Sequence, residues 1–285
     1  EIRIRNPLKL SDLKAFGVKN YYTVNRMSLF QKLLNSLKKY NSLKILSSSI
    51  IHFNKEKNSY ICTTEAGEKI KADLIIGADG FSGVTRKYIL GTEKKTISGK
   101  KIRRTTIKID SNNLIIENSI NLWIGNGWHC VIYPIDRKTL NIVLVSIKIP
   151  NFENYSNPIL KKLCDVNWYV SSVINNIDDP IYCFENIALI GDSAHPFPPH
   201  LAQGGAQTFE DSIVLYESLL KFGLSNAMLL NYSNERASKV KKIMQYSMYA
   251  GNILSLRGGN SIIRNKLIEF SGPLINNYLK KLWNF

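Results

Sequence analysis

The spacing of apolar residues predicts several helices along the chain. In residues 24–40 these side chains recur three or four positions apart, as one face of an amphipathic helix requires, at Met27, Phe30, Leu33, Leu34 and Leu37. A second apolar face is predicted at Ala206, Phe209, Ile213, Tyr216 and Leu220, in a helix that Gly223 ends. Further helix is predicted over 158–178 and over most of 224–285, with breaks at Gly251, Gly258–Gly259 and Gly272–Pro273.

Runs of β-branched and alternating residues predict strands elsewhere. A strand is predicted in LKILSSSIIHF (43–53), followed by a hairpin that turns near Gly67 and a buried strand, LIIGADG, that ends at Asp79. Residues 101–149 contain four more strand patterns joined by short turns, which favours an antiparallel sheet: RRTTIKID, SINLWIG, GWHCVIYPI and NIVLVSIKI. A second buried strand, NIALIGD, comes much later in the chain. The pattern therefore predicts an α/β (α+β) fold in which one domain contains an inserted sheet.

Composition and charge narrow the class of protein. The chain has 285 residues, 44% of them hydrophobic, enough for a large core. The net charge of +16 raises the alternative of nucleic-acid binding, but the lysines are spread along the chain and aromatic residues are not interleaved with them. We therefore expect no nucleic-acid partner and at most a peripheral contact with acidic membrane surfaces.

Other sequence features concern the compartment and metals. The start of the chain is charged, and no apolar run reaches the roughly 18 residues that span a bilayer, so we expect a cytoplasmic protein. The four cysteines form no CxxC pair and are expected to be reduced and buried. The four histidines show no HExxH spacing, so no metal site is expected.

The candidate chemistry lies where the two buried strands end. Asp79 and Asp192 follow these strands directly, and the carboxyl ends of strands in open α/β sheets bind ligands. Gly80 lets the backbone approach an anionic group, and Arg86 could pair with a phosphate. The alternative for this first motif is an ordinary strand-to-helix turn with an aspartate cap.

The segment after the second strand is more specific. Prolines restrict the backbone after Gly191 and Asp192, whose carboxylate could accept hydrogen bonds from ligand hydroxyls. Gln203, Gly204 and Gly205 then open a helix, whose unpaired N–H groups and positive dipole end suit negative charge. The pattern predicts an anionic ligand edge at this helix end.

These motifs resemble those of the FAD-dependent aromatic hydroxylases, the single-component flavoprotein monooxygenases. Three features occur in the family's order: Arg26 in VNRMSLFQKLL, the DG motif GADGFSGVTR (77–86), and the GD motif GDSAHPFPPHLAQGGAQTFEDS (191–212). The resemblance implies that FAD is bound through Asp192 at the ribityl chain, Pro199 beside the flavin ring, and the N–H groups of Gly204 and Gly205 at the pyrimidine edge.

The resemblance also implies contacts with the rest of FAD. Asp79 and Gly80 would lie near the pyrophosphate, with a second role toward NAD(P)H, and Arg26 would contact the phosphates or ribose. Gly191, Gln203 and Arg86 complete the implied cofactor-binding set. Gly83 occupies the place where the family's DG motif carries serine, which changes any contact of that side chain with the nucleotide.

The sheet segment LWIGNGWHCVIYPI indicates a subclass. His129 and Tyr133 are four residues apart, so in a strand they share one face. This resembles the salicylate, 3-hydroxybenzoate and 6-hydroxynicotinate hydroxylases, in which a histidine and a tyrosine address the ring hydroxyl of the substrate. An imidazole that titrates near neutrality suits the removal of a phenolic proton. The alternative is a half-buried pair packed in a sheet.

The resemblance implies three regions: an FAD-binding domain (1–90 and 181–223), an antiparallel-sheet substrate domain (91–180) and a C-terminal helical region (224–285). No GxGxxG turn precedes Arg26, so we expect the family's N-terminal βαβ unit to be absent. A homodimer, or a separate N-terminal half, is a further expectation.

The expected function is that of an FAD- and NAD(P)H-dependent monooxygenase that hydroxylates a small phenolic acid with O2 through a flavin C4a-hydroperoxide. Two alternatives stay open. One is ring hydroxylation of a ubiquinone precursor at a membrane surface, and the other is a non-catalytic half of a split flavoprotein.

Overall fold

The computed structural model describes residues 2–3, 23–91, 97–109, 120–174 and 179–270. The chain divides into two compact units. The first, here called the sheet unit, comprises residues 1–43, 97–173 and 251–285. The second, called the motif unit because it contains both aspartate motifs, comprises residues 44–96 and 174–250. The predicted assignment of domains by function stays a prediction.

The described residues form strands and helices in both units. The strands are β1 (Ile2–Arg3), β2 (Ile50–Glu56), β3 (Ser59–Thr64), β4 (Lys69–Ala72), β5 (Ile75–Gly77), β6 (Ile97–Lys108), β7 (Asn121–Gly125), β8 (Trp128–Asp136), β9 (Thr139–Ser146), β10 (Tyr169–Ile174), β11 (Cys183–Phe184) and β12 (Ile187–Leu189). The α-helices are α1 (Arg26–Leu37), α2 (Val84–Leu90), α3 (Pro158–Lys161), α4 (Gly204–Phe222), α5 (Asn226–Leu254) and α6 (Gly259–Phe270).

The sheet unit is built on a sheet with the strand order β1-β7-β8-β9-β6-β10 among the described residues. The pairs β7–β8, β8–β9 and β6–β9 are antiparallel, which confirms the sheet predicted over 101–149. One face packs against the short helix α3 and the 3-10 turns beside it, through fully buried side chains that include Cys130, Ile132, Leu144, Leu160 and Leu163. The alternate residues of β8, among them His129 and Tyr133, belong to the opposite face.

The motif unit contains as neighbours the two strands that were predicted to be buried; β12 is buried, whereas Ile76 in β5 is 50% exposed. β5 and β12 pair in parallel, with Ile75 opposite Ile187 and Gly77 opposite Leu189. A separate sheet, β2-β3-β4, contains the predicted hairpin, whose turn uses Gly67 at a φ of 79°. Helices α4 and α5 complete the unit around a core that includes Tyr182, Ile187, Leu189, Met228 and Tyr232.

Two predicted helical segments are corrected by the structure. Residues 158–178 are not one helix: α3 ends at Lys161, a 3-10 turn follows, and Tyr169–Ile174 form β10. The run YVSSVI is rich in β-branched residues, which favour a strand over a helix. Gly251 does not break a helix, because α5 continues through it to Leu254, whereas the break at Gly258–Gly259 is confirmed. The predicted break at Gly272–Pro273 lies outside the described residues.

Helix α4 confirms the predicted helix and its end at Gly223, but its apolar face is turned outward. The exposed side chains are Phe209, Ile213, Tyr216 and Leu220. The buried side chains are instead Gln207, Asp211, Leu215 and Ser218. This polar face is buried because the carboxylate of Asp211 is bound by three buried donors. Helix α1 likewise contains no buried residue, and its side chains Met27, Phe30, Leu33 and Leu37 are exposed.

The remaining sequence expectations concern cysteines, metals and membranes. All four cysteines are free; Cys62 and Cys130 are buried as predicted, whereas Cys183 is half-buried and Cys164 is exposed. Across the described ranges, no cluster of histidine, cysteine and acidic side chains could hold a metal ion. Within the same ranges, every helix is too short or too polar to cross a bilayer.

The end of β5 requires a glycine, which generates a prediction about stability. A Cβ at Gly77 would meet the Thr85 side chain and lie 2.7 Å from Leu189 Cδ2. Gly77→Ala should therefore lower the free energy of unfolding by about 1–3 kcal/mol, as overpacking of a core does. The matched control is Gly99→Ala in β6, where a Cβ meets no atom of the described residues within 4 Å. Denaturant unfolding of both variants measures the difference, and equal losses would contradict the packing argument.

Candidate functional site

The two aspartate motifs meet at one edge of the sheet in the motif unit. Because β5 and β12 are parallel neighbours, the segments that follow them leave the sheet on the same side. Gly80 N–H donates to Ser193 Oγ at 2.7 Å, and Ser193 is the residue after Asp192. The structure therefore brings the predicted residues Asp79, Gly80 and Asp192 into one region.

The carboxylate of Asp79 holds the start of α2 and also the second motif. Its Oδ2 accepts the Thr85 N–H at 2.9 Å, and its Oδ1 accepts the Thr85 hydroxyl. The Ser193 hydroxyl donates to the same Oδ1 at 3.1 Å. Asp79 thus uses part of its hydrogen-bonding capacity within the protein. This agrees with the alternative in which the motif is a strand-to-helix turn capped by the aspartate. The predicted place of Asp79 near a pyrophosphate stays a prediction.

Two glycines of the DG motif are explained by this geometry. Gly80 adopts a φ of 78°, in the left-handed region that side chains rarely occupy. A Cβ at Gly83 would collide with the carboxyl group of Asp79. The glycine at the position where the resemblance leads one to expect serine therefore leaves room for the Asp79 side chain in this structure.

Arg86 contacts the backbone of the GD motif. The residue is 2% exposed, and its guanidinium donates to the Ser193 carbonyl at 2.8 Å and to the Ala194 carbonyl at 3.3 Å. The guanidinium carbon also lies 5.3 Å from the centre of the Phe81 ring. These contacts tie α2 to the GD motif. The predicted pairing of Arg86 with a phosphate stays a prediction.

The other side of the GD motif is held by Asp211 of α4. This carboxylate is fully buried and faces the Gly191 N–H at 2.9 Å, His195 Nε2 at 2.5 Å and Arg236 Nε at 2.7 Å. Gly191 itself adopts a φ of 60°. Three donors on one buried carboxylate anchor the first residue of the motif to two helices.

Arg236 of α5 supplies the positive charge that Asp211 needs. Its other nitrogens donate to Glu210 at 2.7 Å and to the Gln207 side-chain oxygen at 2.7 Å. Burial acts to lower the pKa of Arg236, but the hydrogen bond and charge of Asp211, together with Tyr182 and Glu210, outweigh burial and the pKa is raised. Arg236 therefore remains charged. His195 also contacts this carboxylate and is part of the same buried group.

Asp192 is the one residue of the turn Gly191–Ser193 that is exposed. Both of its neighbours are buried and hydrogen-bonded, Gly191 to Asp211 and Ser193 to the DG motif. The turn therefore presents a single carboxylate on a backbone that is fixed on both sides. Such a group is ready to accept hydrogen bonds from a ligand without first being ordered.

The N-terminus of α4 lies beside this carboxylate. A Cβ at Gly204 would lie 3.9 Å from Asp192 Oδ1 and 3.5 Å from Phe197 Cβ, and one at Gly205 would meet no described atom within 4 Å. Gln203 precedes the helix but makes no side-chain cap bond. Pro199 begins the preceding 3-10 turn and is half-buried. The helix end thus offers backbone N–H groups to a ligand at closer range than side chains would permit.

The residues at this edge fit a ligand with hydroxyl groups next to a flat, electron-rich ring edge. The exposed carboxylate of Asp192 suits the hydroxyls, and the N–H groups at Gly204 and Gly205 suit the ring edge. The ribityl chain and isoalloxazine of a flavin have these two parts in sequence. The site therefore passes the test of fit for the cofactor that the motifs imply.

The predicted ring-binding residues belong to the sheet unit. His129 is 1% exposed and Tyr133 is half-buried, and the register of β8 keeps both on the face opposite the main core. Burial raises the pKa of Tyr133, and the nearby charge of Arg104 partly offsets the shift. The Tyr133 hydroxyl therefore stays protonated at neutral pH and is able to donate a hydrogen bond. Arg26, also in the sheet unit, is exposed at the start of α1, and its contact with FAD stays a prediction.

Sequence reasoning missed the residues that hold the site in place. Ser193 and Asp211 are inside the quoted GD motif, but neither was expected to have a role. Arg236 lies in the later segment NERASK. No local pattern separates Asp211 from Glu210 and Glu217 of the same helix, because its burial depends on the distant partner Arg236.

The amino-acid sequence is similar to those of several characterised hydroxylases. No protein-family model matches the chain. It is 26% identical to 3-hydroxybenzoate 6-hydroxylase 1 of Aquipseudomonas alcaligenes over 227 residues, which is 73% of this chain and 58% of that protein. It is 27% identical to 6-hydroxynicotinate 3-monooxygenase of Pseudomonas fluorescens over 265 residues, which is 83% of this chain and 68% of that protein. The chain spans 58% of the length of the first of these relatives.

Solved structures share the fold. HpxO of Klebsiella pneumoniae, in complex with FAD and uric acid, has a TM-score of 0.73 at 18% identity, over 91% of this chain and 71% of that one. A salicylate hydroxylase in complex with its substrate has a TM-score of 0.68 at 18% identity, over 91% and 72%. These findings confirm the predicted fold class and the resemblance to FAD-dependent aromatic hydroxylases.

The buried ion pair between Asp211 and Arg236 generates a prediction about stability. Asp211→Asn keeps the shape of the side chain but leaves Arg236 without its buried counter-charge, so the free energy of unfolding should fall by about 3–5 kcal/mol. Glu210→Gln removes a partner of Arg236 whose side chain is 36% exposed, and should cost less than about 1 kcal/mol. Chemical denaturation measures both values. If Asp211→Asn lowered the free energy of unfolding no more than Glu210→Gln does, the ion pair between Asp211 and Arg236 would not be important for stability.

Proposed function

We propose that this chain acts as an FAD- and NAD(P)H-dependent monooxygenase that hydroxylates a small aromatic, phenolic acid-like substrate. The observation that carries the proposal is the exposed carboxylate of Asp192, held between two buried anchors beside the side-chain-free N-terminus of α4. The named relatives, which hydroxylate aromatic rings, and the structural neighbour solved with FAD support the same assignment.

In this proposal the motif unit holds the flavin. Asp192 accepts hydrogen bonds from the ribityl hydroxyls, Pro199 lies beside the ring, and the N–H groups of Gly204 and Gly205 face the pyrimidine edge. The dipole of α4, a helix of 19 residues, stabilises negative charge at that edge. Arg26, Asp79, Gly80, Arg86, Gly191 and Gln203 complete the proposed set. When bound and reduced by NAD(P)H, the flavin supplies the activation of O2.

The sheet unit holds the ring substrate in this proposal. His129 accepts the proton of the ring hydroxyl, because a phenolate is more nucleophilic than the phenol. Tyr133, protonated because burial raises its pKa, donates a hydrogen bond to the same oxygen. The fixed strand β8 supplies the orientation, since both side chains project from the same sheet face.

Cofactor binding can be tested apart from turnover. Asp192→Asn in the complete protein should weaken FAD binding by roughly ten- to a hundredfold, because hydrogen bonds to a charged acceptor are worth about 1.5–3 kcal/mol. The melting temperature without FAD is measured alongside, so that weaker binding is separated from lower stability. Asp73→Asn, at another exposed aspartate of the motif unit, is the matched control. Flavin fluorescence titration measures the affinity, and equal affinity in all three proteins would exclude the proposed contact.

The catalytic assignment is tested by replacing the proposed base. His129→Gln should slow hydroxylation by about 10²- to 10⁴-fold, the usual contribution of general base catalysis, with FAD content unchanged. His52→Gln, at an exposed histidine of β2, should leave the rate as it is. Product formation is followed by chromatography, alongside NAD(P)H consumption. Unimpaired turnover in the His129 variant would remove this histidine from the mechanism.

A further inference from the structure

Arg104 shares a sheet face with His129 and Tyr133. Arg104 of β6 is opposite Val143 of β9, and Val143 is opposite Val131 of β8. Side chains directly opposite each other in adjacent strands project to the same face. Because His129 and Tyr133 flank Val131 at a distance of two residues, all five residues named here belong to one face.

This face, here called the mixed face, combines an apolar floor with a polar margin. The floor consists of half-buried residues in three neighbouring strands, Leu122, Val131 and Val143. The polar margin includes Asn141, which is opposite Tyr133, and Arg104. An apolar surface with a few convergent polar groups is typical of sites for small aromatic ligands.

The guanidinium of Arg104 uses only part of its hydrogen-bonding capacity within the described residues. It is exposed, and it donates to the Ser171 hydroxyl at 3.2 Å. No described carboxylate forms an ion pair with it. Its charge nevertheless reaches the ring-binding residues, because it acts to lower the pKa of Tyr133 against the effect of burial. Arg104 is thus a cation that faces the mixed face with only a neutral hydroxyl as partner among the described residues.

The distances suit a single ring with substituents at two positions. β6 and β8 are separated by β9, so their backbones lie about 10 Å apart, twice the spacing of adjacent strands. An aromatic ring with a hydroxyl at one side and an acid group at another bridges this gap together with the long arginine side chain. A guanidinium binds a carboxylate through two parallel hydrogen bonds, which fixes the orientation of the ring as well as its position.

We infer that Arg104 is the residue that binds the carboxylate of the substrate at the mixed face, and that it thereby selects an acid over the corresponding neutral ring. The inference rests on the proposed function and identifies the residue that recognises the acid group of its substrate. Arg104 anchors the carboxylate, and the ring hydroxyl is thereby directed to His129 and Tyr133. Neutral substrates such as lipid-tailed phenols or purines lack the group that Arg104 would bind.

The test compares acids with their carboxamides. Complete protein loaded with FAD is titrated with 3-hydroxybenzoate, salicylate and 6-hydroxynicotinate, and with the corresponding carboxamides, by isothermal calorimetry. We expect at least one acid to bind about tenfold or more tightly than its amide, as a charge-assisted pair predicts. Arg104→Gln should abolish that preference by weakening the acid alone. Arg104→Lys should retain part of it, because the charge remains without the bidentate geometry.

Arg137→Gln, at an exposed arginine in the turn between β8 and β9, is the matched control and should keep the full preference. Unchanged melting temperatures verify that the variants are folded. An acid preference that survives Arg104→Gln, equal binding of acids and amides by the unaltered protein, or no binding of any acid overturns the inference. Failure of the proposed function is distinguishable, because it appears as absent FAD binding or absent ring hydroxylation whatever the acid preference.

Discussion

The geometry of the candidate site depends on the carboxylate of Asp211. This buried group accepts bonds from the Gly191 backbone, from His195 and from Arg236, and so joins the GD motif to helices α4 and α5. A buried carboxylate is costly unless it is paired and hydrogen-bonded, and here both conditions are met. The arrangement explains why α4 turns its polar face inward and leaves its apolar residues exposed.

A second anchor fixes the other end of the same turn. Ser193 is bound to Asp79 and Gly80, and its carbonyl accepts a bond from Arg86. With Gly191 and Ser193 held on opposite sides, Asp192 has a defined position although it is exposed. The two motifs that sequence patterns single out are therefore parts of one structure, in which several polar groups position the exposed carboxylate of Asp192.

The sequence predicted the elements better than their orientation. The alternation in residues 101–149 was sufficient to predict the antiparallel sheet, and the two apolar runs before Asp79 and Asp192 were sufficient to predict the strands β5 and β12. The helix predicted over 158–178 failed because apolar spacing alone does not separate a short helix and a β-branched strand from one long helix. The buried face of α4 could not be predicted, because it is determined by the distant partner Arg236 rather than by local apolar spacing.

The most direct measurement of the account is amide hydrogen exchange of the complete protein with and without FAD. If the edge formed by Asp192 and the N-terminus of α4 binds the flavin, FAD should slow exchange in the segments that contain Gly191–Ser193 and Gly204–Gly205. Bound FAD that leaves exchange in both segments unchanged would contradict the account, because the cofactor would then be held elsewhere.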